Sequence, residues 1–244
     1  MATAYSDYDI QLQNDPRGTS VIAAGGKFIV LTAGTARRAT LYNPDSNYAS
    51  LSQPVTPTRG KIRFALLSSV EKVDIVGFTP EGCFVCRKNI YPGRESEIFY
   101  NPHDQNQCAV IPYYFGDVTV ASETDTGLDF TAGQVVLPNP FLKVVTADAT
   151  ETIDVGLLSS ESGGDADGFL VAPSVGTASA TVKGTVNGTD TLGALLKTDT
   201  NGSSVLVPEG HVVATAVSIV LTLSTGSDTA EGFVYLPYIN PVMA

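Results

Sequence analysis

Lys61–Leu67 reads KIRFALL, and these seven residues decide the fold class. Ile62, Phe64 and Leu66 fall on one face at a spacing of two, while Lys61 and Arg63 fall on the other. That period belongs to a strand with one face on a core and one in water, the usual condition of antiparallel sheets. Working outward, short β-rich runs recur at Lys27–Thr32 (KFIVLT), Arg38–Tyr42 (RATLY), Val73–Phe78, Cys83–Arg87, Glu97–Tyr100 and Ala109–Phe115 (AVIPYYF). Turn formers separate them, among them Pro80 to Gly82 and Tyr91 to Gly93.

The C-terminal half continues the pattern. Strand signals fall at Gln134–Leu137, Leu142–Thr146, Glu151–Leu158, Phe169–Val171, Ala180–Val186, Ser203–Val207, Val212–Leu223 and Ala230–Tyr238, with Gly- and Asp-rich turns between them. No window carries a sustained helical stripe; Leu192–Lys197 could form a single turn. The 244 residues are 43% hydrophobic with 23 Gly and 14 Pro, enough apolar surface for true cores and enough turn residues to punctuate short strands.

These signals predict an all-β chain of two tandem antiparallel β-sandwich (jelly-roll-like) domains with a short N-terminal arm. The arm is placed at 1–20, where Asp15-Pro16 and Gly18 break a polar segment. The sandwiches are placed at 21–120 and 121–244, with the boundary in the polar, acidic run Val118–Phe130. A weak internal echo agrees with two similar halves. Val73–Val76 leads on to Gly82–Val85 as Ile153–Gly156 leads on to Gly168–Val171, and Val110–Tyr113 (VIPY) is echoed by Tyr235–Tyr238 (YLPY).

Charge is unevenly spread. Residues 1–116 carry eleven Lys and Arg against ten Asp and Glu, a net of +1. Residues 117–244 carry only Lys143, Lys183 and Lys197 against fifteen acids, a net of -12. An acidic surface stays soluble and repels nucleic acid and anionic membranes, so neither is an expected partner. If the protein docks, the first half is the expected docking end. The N-terminal MATAYSDYDIQLQ has no basic and then apolar leader, so synthesis in a cytoplasm is expected.

Candidate chemistry is sparse. Cys83 and Cys86, with His103 and Cys108 downstream, have the residue types of a zinc site. The pair lies in a strand-like apolar run, however, where positions three apart face opposite ways, and buried thiols are expected instead. Asp165 and Asp167, followed by Gly168, resemble part of a calcium loop without its closing Glu, and a β-turn accounts for them equally. Gly25-Gly26 and Gly163-Gly164 lack the Lys-Ser/Thr of a phosphate loop. His103 and His211 sit in turn-like surroundings, and no nucleophile elbow is present. No catalytic residue, metal or cofactor is expected. Contact surface is expected from the basic residues Arg37, Arg38, Arg59, Lys61 and Arg63, and from Tyr113, Tyr114, Tyr235 and Tyr238 in the two Pro-Tyr segments.

Several stretches resemble structural proteins of tailed bacteriophages. In the second half these are Glu151–Leu158 (ETIDVGLL), Ser162–Leu170 (SGGDADGFL) and Gly226–Tyr238 (GSDTAEGFVYLPY). In the first half they are Ala39–Pro44 (ATLYNP), Pro54–Phe64 (PVTPTRGKIRF) and Val73–Phe78 (VDIVGF). The resemblance is to capsid decoration or cement (head auxiliary) proteins. It implies a non-enzymatic virion protein on the capsid exterior, bound to the major capsid protein and self-associated as a homotrimer. Some relatives belong to tails, so a tail-tip or fibre protein binding a host receptor or carbohydrate is the alternative.

Overall fold

Strands form where the apolar alternation and β-branched runs lie. In a computed structural model the described residues are 4–13, 25–70, 72–93, 96–100, 106–117, 122–148, 150–187, 191–200, 203–223 and 229–241. Among them there is no α-helix, only two short 3-10 turns, and no helix long and apolar enough to cross a membrane. The fold is an all-β sandwich fold. The chain divides into two compact units, Met1–Asp104 and Gln105–Ala244.

Unit 1 contains β1 (Tyr5–Gln13), β2 (Lys27–Thr32), β3 (Leu41–Asn43), β4 (Ala49–Leu51), β5 (Lys61–Leu67), β6 (Val73–Phe78), β7 (Phe84–Ile90) and β8 (Ser96–Phe99). One sheet has the order β4-β3-β5-β1-β8 and the other β2-β6-β7. The pairings are antiparallel except β1 with β8, which is parallel. As KIRFALL predicts, Ile62, Phe64 and Leu66 are buried and Lys61 and Arg63 exposed. They meet Tyr8, Ile10 and Leu12 of the same sheet and Phe28, Val30, Val73, Ile75 and Val85 of the other in one buried cluster. Tyr8 and Phe64 lie opposite each other in register, their rings stacked at 5.0 Å.

The expected N-terminal arm is therefore corrected. Tyr5–Gln13 is a central strand, held between β5 and β8. The signal was present in Tyr8, Ile10 and Leu12, an alternation of period two whose polar intervening residues, Asp9 and Gln11, lowered the mean hydropathy of the segment. Residues 14–24, where Asp15-Pro16 and Gly18 stand, lie outside the described residues.

Two devices shape the β6 region. Asp74 is buried, and its carboxylate accepts from the backbone N–H of Gly34 at 2.9 Å and of Asn89 at 2.8 Å. Asn89 has φ 57, at the point where the β6–β7 register shifts. The carboxylate thus supplies acceptors to two backbone donors that the irregular ladder leaves over.

Unit 2 contains β9 (Asn106–Tyr114), β10 (Glu123–Phe130), β11 (Val135–Val136), β12 (Phe141–Thr146), β13 (Ile153–Leu157), β14 (Asp165–Val171) and β15 (Thr181–Lys183). It continues with β16 (Thr191–Leu192), β17 (Lys197–Thr200), β18 (Ser203–Leu206), β19 (His211–Val212), β20 (Val217–Leu223) and β21 (Glu231–Ile239). One sheet runs β10-β20-β13-β14-β16; the other runs β15-β12-β21-β11-β19, with β9 also paired to β21. Phe130 of the first sheet meets Tyr238 of the second edge-on at 5.5 Å, and both are fully buried. Among the described residues, β17 and β18 pair only with each other.

The expected boundary near residue 120 also moves. Ala109–Phe115, read as the close of the first half, belongs to unit 2, because β9 runs along β21 from Glu231↔Tyr114 to Ile239↔Asn106. Most of the acidic run Val118–Phe130 is no linker: Glu123–Phe130 is β10, with Thr126, Leu128 and Phe130 buried. The internal echo survives only in part. Both β6–β7 and β13–β14 are antiparallel pairs, but VIPY and YLPY are neighbours in one sheet rather than equivalents in two.

Ile10→Ala should cost unit 1 about 2–5 kcal/mol, the usual range for emptying a packed core position. Urea denaturation followed by tyrosine fluorescence measures it. An unchanged midpoint would return the segment to the status of an arm.

Candidate binding surface

The exposed face of the β1–β5 pair follows from its register. With Ile62 and Phe64 inward, Lys61 and Arg63 point outward beside Asp9, their neighbour across the strands. Lys61 Nζ lies 3.5 Å from Asp9 Oδ2, and Arg63 Nη1 lies 2.5 Å from Asp45 Oδ1. These side chains are roughly half exposed, so each pair adds little stability. Their consequence is local neutrality. Two of the basic residues expected to dock are already matched to acids of their own unit.

Arg59 is placed differently. Thr58 and Lys61 exchange two backbone hydrogen bonds, at 2.9 and 3.0 Å, around Arg59 at φ 52 and Gly60 at φ 74. Two successive left-handed residues make a tight hairpin turn matched to strand twist, with Arg59 exposed at its tip. Arg37 and Arg38 lie after β2, where Arg38 bridges back to Leu31, and both have interactions within the protein.

Sequence reading missed Arg87 and Lys88. Both are exposed on β7, at the edge of the three-stranded sheet, and no ion pair holds either among the described residues. Cys83–Arg87 was legible as a strand, but its absence of alternation hid the edge position. The adjacent Arg-Lys pair with no nearby acid in sequence was the available signal.

The four tyrosines expected at contact surfaces are mostly internal to unit 2. Tyr113 is 1% exposed and Tyr238 is fully buried. Burial, then the nearby charge of Glu231, pushes the Tyr113 phenol well above its ordinary range. The Tyr238 hydroxyl donates to Gln107 Oε1 at 2.7 Å. Tyr235 stacks on Phe141 at 4.6 Å, and Tyr114 is half-buried beside Phe115. The correction has a physical cause. Each Pro-Tyr segment is a strand in one pairing, and alternation turns Tyr113 and Tyr238 inward.

Within unit 1, Cys83 and Cys86 do not present a paired thiolate site, one being buried and the other exposed. Cys108 is half-buried in unit 2, and His103 lies outside the described residues. No group of three potential metal ligands occurs among the described residues. His211, expected in a solvated turn, is half-buried on β19 with its ring 6.3 Å from that of Phe169. Burial lowers its pKa.

Asp165 opens β14 instead of sitting in a turn. Leu157 faces Asp165 while Val155 faces Leu170, so β14 bulges between these pairs. Gly193 makes the bulge possible: a Cβ there would stand 2.0 Å from the Asp167 carbonyl oxygen. Burial raises the Asp165 pKa, and a hydrogen bond with Asp167 and its charge raise it further. Burial likewise raises Asp154, where the charge of Asp167 adds to the effect.

A carboxyl group whose pKa is higher folded than unfolded takes up a proton on folding. It stabilises the fold increasingly as pH drops from neutral through the raised folded value. Asp165→Asn should therefore raise the melting midpoint at pH 7 and flatten the gain otherwise seen on mild acidification. Melting curves between pH 7 and 4.5 test this; a midpoint lowered at pH 7 would contradict it.

No family model matches the chain, and no curated protein matches it. Among solved structures it is similar to one titled "Structure of infectious bursal disease virus Gt strain", at 12% identity and a TM-score of 0.15. The match covers 96% of this chain and 54% of that one, so the chain spans about half the length of its structural neighbour.

Proposed function

We propose that this chain is a non-enzymatic structural protein of a virion. It binds the outer surface of a tailed-bacteriophage capsid, bridges capsid subunits and stabilises the mature shell, self-associating as a trimer. It holds on through unit 1 and turns unit 2 to solvent. The observation that carries this polarity is the coincidence of a charge step with the boundary between two separately packed β units. Unit 1 contains eleven basic against ten acidic residues, and unit 2 three against fifteen. The resemblance of the stretches named above to decoration proteins supports the choice of surface.

The ion pairs within unit 1 support a different set of contact residues. Arg63 and Lys61 are neutralised by Asp45 and Asp9, so Arg59 at its hairpin tip and Arg87 and Lys88 on the β7 edge carry the attachment. Such residues form charge-assisted hydrogen bonds with carboxylates on a partner. A protein that binds only the assembled shell stabilises it by mass action, and three linked copies multiply weak contacts into avidity.

Purified shells lacking the protein should bind it saturably and in fixed stoichiometry, and should then resist heating better. Arg87→Glu with Lys88→Glu should weaken attachment by about tenfold or more, in line with the loss of charged hydrogen bonds. Charge reversals at Asp125 or Asp199 should change it little. Equal losses from both units would contradict the polarity, and exclusive co-purification with tails would remove the capsid assignment.

A further inference from the structure

The outer face of the five-stranded sheet in unit 1 contains an open depression of about 340 Å³, lined by Tyr5, Ser6, Asp7, Tyr48, Pro92 and Gly93. Its aromatic wall is built deliberately. Tyr5 and Tyr48 stack at 4.3 Å with their planes 4° apart, and Tyr42 meets Tyr5 edge-on at 4.9 Å. The loop between β3 and β4 holds Tyr48 in place. Asn43 accepts from Asp45 N–H through its side chain at 3.0 Å and from Tyr48 N–H through its carbonyl at 3.0 Å.

Asn47 and Tyr48 then adopt φ 51 and 55 in succession. An aromatic residue rarely takes the left-handed conformation, and packing around it must hold it there. Opposite that wall, Gly93 N–H donates to the Asp7 carbonyl at 3.1 Å, which brings Pro92 to the rim. Tyr91, the residue before Pro92, is 49% exposed.

Asp7 supplies the polar element. It lies in one cross-strand row with Ala65 and Tyr42, so its carboxylate and the tyrosine cluster share the solvent face of the sheet. Its side chain is exposed and has no hydrogen-bond or ion-pair partner among the described residues. Among the described residues, the charges on the same sheet face are matched, Lys61 with Asp9 and Arg63 with Asp45.

We infer that this depression is a saccharide-binding site. A pyranose ring has an apolar C–H face, which packs on an aromatic ring, and an equatorial rim of hydroxyls, which donate to a carboxylate; the depression offers both. An organic cation is the competing ligand, since aromatic faces and a carboxylate both attract positive charge. A cation site needs ring faces converging from several sides. Here Tyr5 and Tyr48 each give one face to the other, so no converging cage forms, whereas a pyranose needs only one remaining face of the pair, and the depression is open, suiting a sugar chain lying across it. The site is independent of the capsid assignment. It lies on the five-stranded sheet; Arg87 and Lys88 lie on the three-stranded one and Arg59 at the hairpin tip leading into β5, and none of the three lines the depression.

The chain has no Trp and ten Tyr, so its intrinsic fluorescence reports directly on tyrosine environments. The full chain would be titrated with maltohexaose, cellohexaose and laminarihexaose, and separately with tetramethylammonium chloride. At least one hexaose should bind saturably with a Kd of roughly 1 mM, ordinary for an open site that removes little ligand surface from water. Asp7→Asn should weaken it about tenfold, and Tyr48→Phe should preserve it. Tyr48→Asn should abolish it without loss of fold, because Asn tolerates the left-handed backbone; a melting curve checks this. Silence from all three hexaoses, a response to tetramethylammonium alone, or binding indifferent to Asp7 and Tyr48 would overturn the inference.

Discussion

Across β1 and β5, Tyr8 faces Phe64 and Ile10 faces Ile62, and this row of cross-strand apolar pairs closes over Phe28, Val30 and Ile75 of the opposing sheet. The register of that row constrains everything else in unit 1. A slip of β1 by one residue would turn Asp7, Asp9 and Gln11 into the core and Tyr8, Ile10 and Leu12 into water. Burial of three large side chains on β1 alone, at about 1.5–3 kcal/mol each, is comparable with the whole stability of an ordinary domain. Because the inward parity is fixed, so is the outward one. Asp7, Asp9, Arg63, Lys61 and Tyr42 share a face because their partners share a core.

Unit 2 solves the same problem with a different surface. Phe130, Phe169 and Tyr238 meet at the seam between its two large sheets, and the strands around them carry acids outward. A core of that kind tolerates a net charge of -12, which resists association with anionic material and favours solvent. Unit 1, nearly neutral, is the unit that can approach another protein at low electrostatic cost. The proposed division of labour follows from these two surfaces rather than from any single residue.

Most of the strand pattern was legible because alternation is a local signal. KIRFALL declares its faces without reference to partners, whereas VDIVGF, buried at every position, was legible as a strand only from its β-branched composition. What was not legible depended on pairing. The segment DYDIQLQ has the right period, but its polar positions and the breakers at Asp15-Pro16 and Gly18 made it read as an arm. Only its contact with β5 reveals a central strand. The same limit misplaced the unit boundary: AVIPYYF is a strand wherever it goes, and its partner β21 lies far along the chain. Of the candidate contact residues, Arg59 kept its exposed position, since a hairpin tip is locally encoded. Tyr113 and Tyr238 did not, because composition cannot tell a tyrosine at an edge from one in a seam. The Tyr5–Tyr42–Tyr48 cluster was invisible for the same reason, its members coming from β1, β3 and the turn after β3.

The account stands on the polarity of attachment, and an image tests it most directly. Cryo-electron microscopy of the intact particle, with the density of this chain traced, should show unit 1 against the capsid surface and unit 2 projecting into solvent. Arg59, Arg87 and Lys88 should fall at the contact. Density showing the acidic unit against the shell, or no density for the chain on the particle, would contradict it.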